Sequence, residues 1–282
     1  MDAASSDRVR VWVGRGIGLA LLVAMVVIGW YVVRIRAEAR AFAALDKNMR
    51  EISLAVKAHA LVAEREQFPP ISSQTGVLFF DVASVYPSHL DDLATIVSPR
   101  RRDARALLQR LGDGADPAAV EVVGAESFIY LGYIVENELV GWAFVEAYRA
   151  AAADADGAFR LDEDLTVSYP EDYDGPREPT ATLRGIVWRD EGPGNAGTNT
   201  IRRIREGVER FLGDGRISGG DLVYPAQSDM PILLERPIAE GAAIRVLYMD
   251  GHRKTVPYGE FPNTRAVLDA LESLRDLRAG GG

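Results

Sequence analysis

"GIGLALLVAMVVIGWYVV", residues 16 to 33, runs for eighteen residues without a charged side chain. As an α-helix rising 1.5 Å per residue, such a run is about 27 Å long, close to the hydrocarbon thickness of a bilayer. A helix that is apolar on every face has no solvent side, so this run constrains the chain before anything else does. Arg8, Arg10 and Arg15 precede it in the manner of a signal-peptide n-region, but the apolar stretch is too long and no Ala-x-Ala site follows. Instead "YVVRIRAEAR" continues in helix-compatible residues, with Trp30 and Tyr31 where an interfacial aromatic belt would sit. The reading is an uncleaved transmembrane helix over residues 16 to 34 behind a cytoplasmic tail, residues 1 to 15.

Flanking charge does not orient this anchor, because Arg34, Arg36 and Arg40 on one side balance the three arginines on the other. Residues 1 to 34 hold four Arg and two Asp, a net of +2, which leaves −11 of the overall −9 for the rest. An acidic distal part would be repelled by nucleic acid or by an anionic membrane surface. No nucleic-acid partner is therefore expected, and the simpler topology keeps the short basic tail inside and residues 35 to 282 outside. With 48% hydrophobic residues the chain can bury a sizeable core, and with no cysteine it has neither disulfides nor thiolate chemistry.

Beyond the anchor, Phe42, Leu45, Met49, Ile52 and Val56 recur at three- and four-residue spacing, while Lys47, Arg50, Glu51 and Lys57 take the other faces. This predicts an amphipathic extension over residues 35 to 69, stopped at Pro69 and Pro70 and continuous with the anchor. The plainer alternative is a membrane helix followed by a separate core helix. From residue 70 to 282 the signals are short and mixed. "GVLFFDV" (76–82), "SFIYLGYIV" (127–135), "TVSY" and "LRGIVWR" read as strands. "SHLDDLATIV" (88–97, capped by Ser88), "RRDARALLQRLG", "ELVGWAFVEAYRAAA" (capped by Asn137), "IRRIREGVERFLG" (201–213) and "NTRAVLDALESLRDL" (capped by Asn263 or Thr264) read as helices.

"AIRVLYM" and "HRKTVPY" are extended runs separated by Asp250-Gly251, a dipeptide favoured in type I′ turns, where both central residues need positive φ. A hairpin here puts His252 at the start of the return strand. The Asp-Gly-His triplet then turns the chain and need not converge on a ligand.

Several pieces in this order resemble the pseudopilin-like proteins of the planctomycete type, related to type II secretion pseudopilins and type IV pilins. They are "FAALDKNMREISLAVKAHA" before "FPP", "YPSHLDDLATIVSP", "IYLGYIVENELVGWAFVEAYR", "IRRIREGVERFL" with "AQSDMPILLERP", and "RVLYMDGHRKTVPYGEFP". The resemblance implies an α+β fold, with the long helix packed on an antiparallel sheet. It also implies a single-pass protein of the bacterial inner membrane whose extracytoplasmic domain meets protein partners in the envelope, as a structural or interaction protein and not an enzyme. Two departures stand out. No acid lies between Asp7 and Glu38, where pilins carry a Glu that serves filament assembly, so prepilin processing is not expected. Glu240 stands where the C-terminal motif usually has a His, separated by nine residues from Asp-Gly.

One segment invites a metal test. Aligning Gly157 of "AAADADGAFRLDED" with the glycine of an EF-hand loop puts Asp154, Asp156 and Glu163 at ligand positions 3, 5 and 12, a calcium pattern. The first ligand position is Ala152, and a solvated acidic loop is the competing reading. For catalysis the signals are poorer. His59, His89 and His252 are the only histidines, and no metalloprotease or nucleophile-elbow motif surrounds them. The glycine-rich "DEGPGNAGTNT" lacks the Lys-Ser/Thr of a phosphate loop and reads as a flexible connection, with Thr198 or Asn199 near a helix cap.

Overall fold

A computed structural model describes residues 3–112, 115–154, 161–169, 192–195, 198–208, 217–218, 221–222 and 226–279; for 3–21, 217–218, 221–222 and 279 it describes the backbone only. The architecture is α+β. In chain order the elements are α1 (Ala3–Val62), α2 (Ala104–Arg110), α3 (Pro117–Ser127), β1 (Phe128–Tyr130), α4 (Glu138–Ala153), β2 (Leu165–Thr166), β3 (Thr200–Ile201), β4 (Ile217–Ser218), β5 (Asp221–Leu222), β6 (Pro231–Glu235), β7 (Ile244–Tyr248), β8 (Arg253–Val256), α5 (Arg265–Ser273) and α6 (Asp276–Ala279). The chain forms two compact units, 1–45 and 46–282.

The first unit is helical from Ala3 onward. Between Leu22 and Ile35 its large apolar side chains stand 39% to 67% exposed. Among the described residues no helix is long and apolar enough to cross a membrane. Eighteen residues counted from Leu22 take in Arg34, Arg36 and Glu38, whereas the apolar run itself starts at Gly16.

In the second unit, β1, β6, β7 and β8 make an antiparallel sheet in the order β1-β6-β7-β8. Every residue of β1 and β6 is buried, as a strand covered on both faces requires. The last turns of α1 supply the buried residues Met49, Ile52 and Val56, the face their spacing predicts. Polar contacts fasten the start of this segment. Asp46 takes Arg245 of β7 in a forked pair at 2.7 and 2.9 Å, Asn48 donates to Val97 O at 3.1 Å, and the Thr95 hydroxyl donates to Glu51 at 3.0 Å.

The buried core is rich in aromatic residues. Phe79 stacks on Phe80 at 4.1 Å, Phe80 meets Tyr130 edge-on at 5.6 Å, and Phe144 lies between Tyr133 and Tyr148 at 5.5 and 6.2 Å. The three phenols of this cluster each find a partner, as burial demands. Tyr130 donates to Pro69 O, Tyr133 donates to Glu163 O, and Tyr148 accepts from Gly76 N–H.

Helix α4 begins at Asn137, whose side chain accepts from Val140 N–H at 3.0 Å, and it buries Val140, Phe144 and Tyr148 on one face as the sequence indicates. Thr264 is the cap of α5, and α2 forms within its expected stretch but only over Ala104–Arg110.

Elsewhere local pattern yields to tertiary pairing. Helix α1 stops at Val62, short of the prolines, because Arg65 and Glu66 turn to positive φ (60° and 54°) and Gln67 pairs with Arg205. Residues 76 to 82 are a buried loop and not a strand. Their backbone groups are taken up by Pro70, Ser72 and Tyr130 instead of a ladder. The expected 88–97 helix shrinks to a 3-10 turn, Leu93–Ile96, capped by Asp92 rather than Ser88. "SFIYLGYIV" contributes only three strand residues, and "TVSY" contributes β2 through Thr166.

The largest correction is at 201–208, where 201–205 is extended, 206–208 is a turn, and none of it is helical. Arg203 bridges to Tyr133 and Arg205 to Gln67, while Ile204 accepts from Phe68 N–H and donates to Gly132 O. Ile201, Ile204 and Val208 are buried all the same, so a helix-like spacing came from a chain wedged between two others. Residues 209–213 and "LRGIVWR" lie outside the described residues.

Candidate functional site

The hairpin that carries Asp250-Gly251-His252 is real, but its turn is one residue longer than expected. Gly251 N–H donates to Tyr248 O at 2.8 Å and Tyr248 N–H to His252 O at 3.0 Å. Met249 and Asp250 are the central residues, and only Gly251 has positive φ, at 90°. This is a type I-like turn closed by a glycine bulge, the usual three-residue hairpin loop, and it replaces the expected type I′ turn.

The bulge changes where the triplet's side chains go. Asp250 Oδ1 accepts from His252 N–H at 3.0 Å and lies 2.7 Å from His252 Nδ1. The His252 ring lies flat on Tyr248, with centroids 4.4 Å apart and planes 7° from parallel. Helix α1 runs beside the turn, and a Cβ on Gly251 would sit 3.3 Å from Ser53 Oγ. Partial burial would raise the Asp250 carboxyl, but the backbone and ring of His252, with the Lys57 charge behind them, outweigh it and hold the group below the usual carboxylate range. The imidazole is thus oriented by a carboxylate and braced by a phenol ring, and it is 40% exposed. Such a tip presents a fixed polar and aromatic patch to whatever approaches it.

The other sequence candidates do not converge on this tip. Asp154 is exposed and closes α4, and Glu163 is exposed with its backbone oxygen held by Tyr133. Asp156 lies outside the described residues. Among the described residues no three His, Asp or Glu side chains gather in a way that could hold a metal ion. His59 Nδ1 lies 3.0 Å from Ser84 O and its ring meets His89 edge-on at 6.2 Å. Burial lowers the His59 pKa, with the His89 and Arg203 charges adding to the fall and the bond to Ser84 opposing it. Glu240 is exposed in the turn between β6 and β7.

The glycine-rich segment leads into β3, not a helix, and its described part is fixed by Asn195. That side chain is 1% exposed, donates to Ile134 O and accepts from Arg202 N–H. Asn195 and the Tyr248 ring under His252 went unread in the sequence. A lone Asn among glycines and a Tyr four residues before a His carry no signal until the chain is folded.

Comparison of the chain with family models, with curated proteins and with solved structures finds no match.

Proposed function

We propose that this chain is a membrane-anchored, pseudopilin-like structural or interaction protein, held in a bacterial inner membrane by residues 16–34, with its α+β part outside the cytoplasm and in contact with envelope proteins. One observation carries the proposal: α1 leaves its large apolar side chains between Leu22 and Ile35 exposed, and its last turns are built into the sheet unit. Exposed apolar surface on that scale calls for an apolar cover. The uncharged run from Gly16 to Val33 is the length that lipid would cover.

A second reading is favoured by the missing acid between Asp7 and Glu38. In it the same anchored domain stands free of any filament and binds a surface ligand, with the Asp154, Asp156 and Glu163 segment as its calcium candidate.

Fractionation of cells expressing the full chain tests the anchor. The protein is expected to stay with membranes through an alkaline carbonate wash and to leave them only in detergent. A reporter fused after Gly282 should be active outside the cytoplasm, and a peptide containing Arg8 and Arg10 should be recovered by mass spectrometry. Release by carbonate would refute the anchor. Loss of every residue before about Ile17 would favour processing and filament entry.

A further inference from the structure

A cavity of about 250 Å³ opens between the loop at Gly76, helix α3 and the segment from Arg275 into α6. Val77, Val122 and Ala125 form its apolar floor, and three guanidiniums, those of Arg236, Arg275 and Arg278, line it with a single carboxylate, Glu126. A basic cleft is unexpected in a chain of net charge −9.

Two of the arginines have evident structural work. Arg236 is 4% exposed, donates to Ala125 O near the C-terminus of α3 and pairs with Glu272. Arg275 forks onto both oxygens of Glu126 at 3.1 Å and reaches Glu272 at 3.3 Å. Arg278 is exposed at the mouth and has no side-chain partner among the described residues. Counting Glu272, the three cations face two anions, so the cleft keeps an excess of one positive charge. Burial, and then the Arg275 charge, pull the Arg236 pKa down to about 9, with the Glu126 carboxylate opposing the fall.

We propose that this cleft binds a small monocarboxylate, its anionic oxygens taken by Arg278 with Arg275 and its short aliphatic body laid on Val77, Val122 and Ala125. A planar guanidinium matches a carboxylate in a two-point bond, and the excess of one charge suits a monoanion. The volume, about eight times a water's share of the liquid, suits a body of a few carbons. The site is separate from the hairpin tip and does not rest on the anchor reading.

The test uses the full chain in detergent, titrated with butyrate, butyramide and inorganic phosphate, and followed by calorimetry and by thermal unfolding. Butyrate is expected to bind saturably, and Arg278→Gln to weaken it at least tenfold without changing the unfolding temperature of the ligand-free protein. Arg265→Gln, on the exposed face of α5, should leave binding unaltered. Butyramide binding as tightly as butyrate would overturn the charge argument. Phosphate binding more tightly than butyrate would overturn the assignment to a monocarboxylate, and no saturable binding of any probe would overturn the site.

Discussion

Gly124→Ala should destabilise the protein, against the general rule for a helix interior. Replacing glycine by alanine in an exposed helix gains about 1 kcal/mol, since glycine loses the most backbone freedom. Here a Cβ would lie 2.4, 2.6 and 2.7 Å from Cε1, Cζ and Cδ1 of Phe79, where ordinary contact begins at 3.4 Å. The ring must retreat by about an ångström, but it is fully buried and stacked on Phe80 at 4.1 Å. Overpacking of this kind costs about 3 kcal/mol, the upper part of its usual range, so the net loss is about 2 kcal/mol. For a chain of this size that lowers the melting temperature by about 4 to 8 °C. Circular dichroism of the detergent-solubilised full chain, heated with and without the substitution, measures it. In a Phe79→Leu background the same change should become neutral or stabilising, giving a coupling energy of about 2 kcal/mol. An unchanged or raised melting temperature for Gly124→Ala alone would show that the ring can move, and the packing argument would fail.

At the hairpin tip, Gly251→Val forces a β-branched residue to φ 90° beside Ser53 and should cost about 1 to 3 kcal/mol in urea denaturation. Asp250→Asn keeps an acceptor for His252 N–H and should cost less than about 1 kcal/mol, since the side-chain contact with the imidazole that it weakens is more than a third exposed. A larger loss from Asp250→Asn than from Gly251→Val would mark the triplet as a site and not a turn. Buried Glu121 sets a pH dependence. Burial raises its pKa above the usual 4.5, Asp81 adds to the rise, and the bonds from Ser72, Gln74 and Val82 N–H only partly offset it. The folded state therefore holds this proton more tightly than the unfolded chain. The stabilisation is complete below about pH 4.5 and is lost as pH rises through the folded value. Urea midpoints measured from pH 4 to 8 should fall less steeply for Glu121→Gln than for the unaltered protein, and equal slopes would remove Glu121 as the cause.

Elements whose structure depends on neighbours in sequence were legible from the sequence itself. Asn137 and Thr264 cap their helices because a side-chain acceptor two or three residues before a free N–H acts locally. The buried seam of Met49, Ile52 and Val56 follows from helical period alone, and the β7–β8 hairpin follows from two extended runs around a glycine able to take positive φ. What only tertiary structure decided were the segments whose backbone groups find partners far along the chain. "IRRIREGV" has a helix's spacing, yet Arg203, Ile204 and Arg205 pair with residues near 67 and 133, and those long-range bonds outweigh local propensity. "GVLFFDV" has a strand's composition but closes on Pro70 and Ser72 as a loop. The arginine cleft was invisible for the same reason. Gly76, Arg236 and Arg278 are far apart in sequence, and a charge excess exists only where folding brings its members to one place.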